Sequence, residues 1–235
     1  MSLLFVLPYS PVNAAQEEIQ NYVLIGCPGS GKGTLSQFLT QKGYVKIATG
    51  DLLRKEVKNK TKIGEKIKAT LNKGGMVPDN IVCEMIRKHI KDCLNKQKPF
   101  VIDGFPQNKN QFEFLKSYLR QEGISQKTRF VFIKIDTNTA LRRINKRITC
   151  KQCDRIYNKE SRPPKLQNQC NICHEPLSHR KEDNERAIAV QVPTFEQKTL
   201  PIITMIDNNL LITFDGNKPI EVQLSFYATY FPSSP

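Results

Sequence analysis

Two groups of residues carry chemistry that can be read from residue type and spacing. The first is Gly26-Cys27-Pro28-Gly29-Ser30-Gly31-Lys32-Gly33-Thr34. Its glycines let backbone N–H groups curl around a phosphate, and the start of a following helix adds the positive end of its dipole. Lys32 can then reach the outer phosphates, and the Thr34 hydroxyl can approach phosphate or Mg²⁺. Gly33 stands where Ser or Thr usually follows the lysine, and Thr34 comes one residue later. The second group is Cys150-x-x-Cys153 and Cys170-x-x-Cys173, with 16 residues between the pairs. Thiolates so spaced in two tight turns can meet one tetrahedral Zn²⁺, and four of them leave no open position for water, so the expected role is structural. Two disulfides are the alternative for the same spacing, and His174 and His179 are alternative ligands.

The elements that must position these groups are legible as apolar runs. Tyr22-Val23-Leu24-Ile25 before the glycine-rich loop reads as a strand, and Leu35 to Leu39 after it has helical spacing, which is the context of a P-loop. Tyr44–Ala48 reads as a second strand that turns at Thr49-Gly50-Asp51-Leu52-Leu53-Arg54 into a helix. Residues 62–73 look helical, ended by Gly74-Gly75, and Pro78-Asp79-Asn80 opens another helix. Phe100-Val101-Ile102-Asp103 is a strand ending in a carboxylate, followed by a helix over 108–122. Phe130–Ile135 is a further strand, and an arginine-rich helix runs from Thr137 to about Arg147. A helical region begins near Asn184 and is interrupted by Pro193 and Pro201, and Leu210–Phe214 supplies the last strand. Short apolar strands separated by helices indicate an α/β protein, with a five-stranded parallel sheet covered on both faces. Such sheets bind ligands beyond the carboxyl ends of their strands, where the loop, Thr49 and Asp103 all fall.

A chain of 235 residues with 39% hydrophobic and 25% charged residues fits a soluble globular protein with a substantial core. No apolar run approaches membrane-spanning length. The formal charge of +14 suits a polyanionic ligand and leaves a basic RNA-binding protein using the zinc lobe as a reading from another class. The lobe lacks a stacking cluster that would read bases, so nucleic acid ranks last among the partners. Reduced, metal-binding cysteines and the weak targeting character of residues 1–20 point to the cytoplasm; the tail leaves the mitochondrion or another organelle open.

The phosphate loop, Thr49–Arg54, Asp103-Gly104-Phe105-Pro106 and the cysteine-bearing insert follow one another in an order that resembles the adenylate kinases, specifically the long form with a zinc-containing lid. The likeness runs from about residue 21 to about 222, and includes Tyr157, Pro163-Pro164-Lys165, Arg180-Lys181-Glu182-Asp183 and Asp215–Pro219. It implies a P-loop NTPase fold over 21–235 after an N-terminal extension of residues 1–20. An AMP-binding flap at 49–78 and a zinc-ribbon lid at 148–182 would be the mobile parts. The reaction implied is ATP + AMP ⇌ 2 ADP with Mg²⁺, by a monomer; a P-loop holds phosphates rather than bases, which leaves GTP as an alternative donor. Carried over residue by residue, Pro28, Gly29, Ser30, Gly31, Lys32, Gly33 and Thr34 would cradle the ATP phosphates. Arg143 and the Lys218 backbone would contact the ATP base, and Arg147 and Arg180 would neutralise the transferring phosphoryl group. Arg54 would hold the AMP phosphate, and Asp103, with Asp51 behind it, would orient Mg²⁺-bound water. Thr49 and Gln111 would read the AMP base, Gly104 would let it approach, and Gly50, Val77 and Gln107 complete that site.

Two positions depart from the family pattern. Gln107 stands where the family has an arginine that grips the AMP phosphate, and Gln191 where it has a second phosphate-binding arginine. Pro193 falls in the helix that should carry the second one, where proline kinks or breaks a helix. Glutamine donates a hydrogen bond but has neither the charge nor the two-pronged geometry of a guanidinium. Three outcomes are consistent with that: a slower adenylate kinase with Lys109, Arg186 or Lys198 supplying charge, a changed acceptor, or a nucleotide-binding sensor without turnover.

Overall fold

The computed structural model describes residues 20–72, 75–180 and 183–231. The N-terminal extension up to residue 19, and Gly74, Lys181 and Glu182 of the motifs quoted above, lie outside the described residues. Five strands form one parallel sheet: β1 (Asn21–Gly26), β2 (Val45–Ala48), β3 (Phe100–Asp103), β4 (Thr128–Lys134) and β8 (Leu211–Asp215), in the order β2-β3-β1-β4-β8. Alternate residues of one strand enter different cores. Val23 and Ile25 pack with Ile47, Ile102, Phe112, Leu115 and Ile86, whereas Tyr22 and Leu24 pack with Leu35, Leu39, Tyr227 and Phe231. Burial on both faces is why these strands read as unbroken apolar runs rather than as alternation.

The helices that cover the sheet are α1 (Lys32–Gln41), α2 (Thr49–Lys58), α3 (Lys62–Asn72), α4 (Asp79–Asn95), α5 (Lys109–Gln121), α6 (Thr137–Asn145), α7 (Glu185–Thr194) and α8 (Ile220–Tyr230). Asn108, Asp136 and Asn184 cap α5, α6 and α7 by accepting backbone N–H bonds from Gln111, Thr139 and Ala187.

Between α6 and α7 lies a small antiparallel sheet, with β5 (Arg147–Cys150) flanked by β6 (Ile156–Asn158) and β7 (Leu177–Ser178). Here the sequence expectation needs correction: α6 stops at Asn145, and Arg147 is the first residue of β5, paired with Asn158. The β-branched Ile148-Thr149 step favours the strand, and Ile148 is buried against Tyr157. The reading of Pro193 holds in part. Helix α7 passes through it to Thr194, after which Phe195–Thr199 winds as a wider π turn and Leu200–Met205 as a 3₁₀ helix. The Thr194 hydroxyl donates to Val190 O at 2.6 Å. The chain stays helical past Pro193, but the α pitch ends one residue after it.

Candidate active site

The carboxyl ends of β1, β2 and β3 open on one cleft with a volume of about 350 Å³. At the end of β1 the chain turns through Gly29 and Gly31, both at positive φ, into α1. A Cβ on Gly29 would fall 2.5 Å from Ala140 O, so both backbone angle and space exclude a side chain there. The cleft is lined by Pro28, Gly29, Gly31, Lys32, Gly33 and Thr34 of this loop. Ser30 is fully buried and is not part of the lining; its backbone N–H is taken by Cys27 O at 3.0 Å. The Ser30 hydroxyl is buried and has no hydrogen-bond partner among the described residues.

Lys32 lies across its own loop, donating to Gly26 O at 2.7 Å and Cys27 O at 3.1 Å. Burial pushes its ammonium below the usual lysine range, and the Asp103 carboxylate opposes that shift. Asp103 ends β3, lines the cleft, and has Ser36 Oγ at 3.5 Å from Oδ2. Its Oδ1 accepts no hydrogen bond among the described residues. Arg143, Arg147 and Arg180 also line the space. Arg143 donates to Lys218 O at 3.4 Å, which places the Lys218 carbonyl behind Arg143 and outside the lining. Arg147 is held by Asp183, with Nε donating to Oδ2 at 2.7 Å and Nη2 pairing with Oδ1.

Around the rest of the cleft stand Thr49, Gly50, Arg54, Val77, Gly104, Gln107 and Gln111. Thr49 is 4% exposed, and its hydroxyl has no hydrogen-bond partner among the described residues. An unsatisfied buried hydroxyl facing a cleft is a place where a ligand atom fits. Asp51 lines the same cleft as Asp103 and pairs with Lys46 at 2.6 Å and with Arg54. Burial alone would raise its carboxyl; Lys46, then Arg54 and Arg180, outweigh burial and hold it below the usual range. Asp51 thus anchors Arg54. Gln107 and Gln191 both line the cleft, as an arginine at either place would. Lys109, Arg186 and Lys198, the replacements suggested by sequence, are exposed and do not line it.

The family model described as adenylate kinase matches residues 24–210. A protein named adenylate kinase from Caldicellulosiruptor saccharolyticus is 35% identical over 202 residues, covering 84% of this chain and 92% of that one. Another so named, from Methanocella arvoryzae, is 36% identical over 205 residues, 85% of this chain and 93% of that one. A third, from Fervidobacterium nodosum, is 31% identical over 205 residues, 86% and 92% respectively. The chain belongs to the adenylate kinase family.

This adenylate kinase family member carries its four cysteines as expected of a metal centre. The four Sγ atoms all lie within 4.8 Å of one another, with separations of 3.3, 3.5 and 3.7 Å among three of the pairs. Tetrahedral Zn²⁺ with Zn–S near 2.3 Å sets thiolates about 3.8 Å apart, so the cluster fits the ion. The separations exceed the roughly 2.05 Å of a disulfide, and all seven cysteines are free. Burial works against the Cys170 thiolate, but the N–H groups of Cys173 and Ile172 and the Tyr157 hydroxyl bring the thiol down to about 6. His174 and His179 are exposed and stand outside the cluster.

The sulfur-bearing lobe rests on the phosphate loop. A Cβ on Gly33 would meet Ile156 Cδ1 at 2.4 Å, so this glycine is the floor on which β6 packs. Arg162 of the lobe, absent from the sequence-level candidates, lines the cleft and reaches across to Gln37 Oε1 at 3.3 Å on α1. It meets no carboxylate among the described residues, and burial pushes its guanidinium down, with Arg155 adding to the shift. Asp183 and Asp79, likewise missed, act on other polar side chains rather than on the cleft surface. The sequence signal for Arg162 was its place immediately before Pro163-Pro164.

Proposed function

We propose that this chain transfers the terminal phosphoryl group of ATP, or GTP, to AMP, reversibly giving two nucleoside diphosphates, at a rate lowered by the glutamines at 107 and 191. The observation that carries the reading is one cleft in which Lys32, Arg143, Arg147 and Arg180 stand with Asp103, opposite an unsatisfied Thr49 hydroxyl and a buried Gln111. In this reading the backbone of residues 28–34, apart from Ser30, and the Lys32 ammonium hold the donor phosphates. Arg143 stacks on the donor base, with the Lys218 carbonyl fixing its guanidinium. Arg147, steadied by Asp183, and Arg180 offset the charge that develops on the group in flight, where positioning and charge neutralisation supply most of the catalysis. Arg54, anchored by Asp51, takes the AMP phosphate. Thr49 and Gln111 contact the acceptor base, Gly104 and Gly50 admit it, and Val77 and Gln107 line its walls. Asp103 with Thr34 would hold Mg²⁺, which supplies further screening of the phosphates.

The flap at 49–78 and the zinc lid at 148–182 are the parts that close over both nucleotides and exclude water. The protein works as a cytoplasmic monomer. An arginine on a transferring phosphate contributes about 10³–10⁵ in rate, so replacement of two family arginines is the specific observation behind a second reading, a nucleotide sensor with negligible turnover. A coupled assay of ADP formation on zinc-loaded protein, with Lys32→Ala as control, separates the two. The enzyme reading expects turnover above the control, raised at least about tenfold by Gln107→Arg with Gln191→Arg. Turnover equal to the control would leave the sensor.

A further inference from the structure

The amide of Gln111 is held by groups that can bond it in one sense only. Gln111 lies in the first turn of α5 and is 1% exposed. Its Oε1 accepts the Gln107 backbone N–H at 2.8 Å, and its Nε2 donates to Asp79 Oδ1 at 2.7 Å. A backbone N–H only donates and a carboxylate only accepts, so the oxygen and nitrogen ends of this amide cannot exchange without losing both bonds. Asn108 braces the arrangement, donating to the same Asp79 Oδ1 at 2.9 Å while its Oδ1 accepts the Gln111 backbone N–H at 2.9 Å. Asp79 is the first residue of α4, so one carboxylate oxygen ties the starts of two helices to a single side-chain amide.

A primary amide has two N–H donors and two oxygen lone pairs, and these bonds leave one of each. Gln111 therefore offers a donor beside an acceptor, in fixed order, to the cleft it lines. A 6-amino purine presents N1 as acceptor beside an amino donor. A 6-oxo purine reverses both, with N1–H as donor and O6 as acceptor. An amide free to flip would accept either edge; an anchored one opposes the reversed edge. We propose that Asp79 is a specificity-determining positioning residue, which fixes the orientation of the Gln111 amide and so selects a 6-amino over a 6-oxo purine monophosphate. This rests on the reading of Gln111 as a contact to the acceptor base.

The test is calorimetric binding of AMP and of IMP to the full-length, zinc-loaded chain, which needs no turnover. Asp79→Ala is expected to lower the ratio of IMP to AMP dissociation constants by about tenfold, the value of one hydrogen bond, with ATP affinity unchanged. Asp79→Asn keeps an acceptor oxygen and is expected to retain most of the preference. Asp79→Ser, too short to reach Gln111 but polar at the helix start, serves if Asp79→Ala does not fold. A ratio in the Ala or Ser variant within about twofold of the parent, while Gln111→Ala loses it, would overturn the role of Asp79. A ratio unchanged in Gln111→Ala would overturn the base-reading assignment itself.

Discussion

Substituting Gly33 by alanine separates fold stability from lid closure, because the structure predicts opposite signs for the two. The first atom a Cβ would meet is Ile156 Cδ1 at 2.4 Å; next come Ile156 Cγ1 at 3.9 Å and Asp103 Oδ2 at 4.0 Å. One methyl group must therefore retreat by about 1 Å to reach ordinary contact, while everything else has room. The methyl is the far end of a side chain, so the cost is that of a displaced rotamer, about 0.5–1.5 kcal/mol. At about 1.4 kcal/mol per factor of ten, any equilibrium that seats β6 on the loop weakens roughly two- to tenfold. Gly33 lies inside α1 without a left-handed backbone, so alanine suits the helix and adds up to about 1 kcal/mol to its stability. Calorimetry should show ATP bound about two- to tenfold more weakly by Gly33→Ala, with a melting temperature equal to or above that of the parent. Gly33→Ala with Ile156→Ala should recover the affinity. If the double variant stays weak, the new methyl obstructs the nucleotide rather than the lid, and the packing argument fails.

Three further outcomes follow from the pairs and the sulfur cluster. The Asp183 side chain is 1% exposed against a 17% exposed Arg147, so Asp183→Ala strands a part-buried guanidinium and should cost about 2–4 kcal/mol in urea unfolding. A cost below about 0.5 kcal/mol would mean that Arg147 finds another partner. The Asp51 carboxyl is depressed in the folded state, so its contribution is present above the unfolded-state value near pH 4 and fades as pH falls through the folded-state value. Asp51→Asn should remove that part of the acid-side loss of stability in pH-resolved melts; an unchanged profile would contradict the pairing. Thiol titration with release of metal should give one Zn²⁺ per chain, and chelation or Cys150→Ser should abolish protease resistance in 148–180 before the sheet unfolds. Persistent resistance without metal would show that the lobe folds unaided.

The central sheet was readable because each strand is buried on both faces, as in Tyr22-Val23-Leu24-Ile25, and because glycine and lysine in the following turn fall at fixed spacings. The four cysteines were readable for the same reason: local spacing determined where their sulfurs meet. Elements with no local punctuation were harder. No glycine or proline separates α6 from β5, and Arg147 passed as the end of a helix although its pairing with Asn158 makes it strand. The two-residue β7 owes its existence entirely to its neighbour. Pro193 signalled an end to the α pitch, which comes one residue later, but not the π and 3₁₀ turns that continue the helical path. The site's supporting bonds were invisible for a different reason. Asp79 to Gln111 and Asp183 to Arg147 join residues 32 and 36 positions apart, which no spacing rule reaches.

The most direct measurement is calorimetric binding of the inhibitor that joins two adenosines through five phosphates, compared with ATP and with AMP. Two facing nucleotide sites in one cleft predict one equivalent of inhibitor, bound more tightly than either nucleotide and excluding both. Binding no tighter than ATP, with AMP still able to bind alongside, would contradict it.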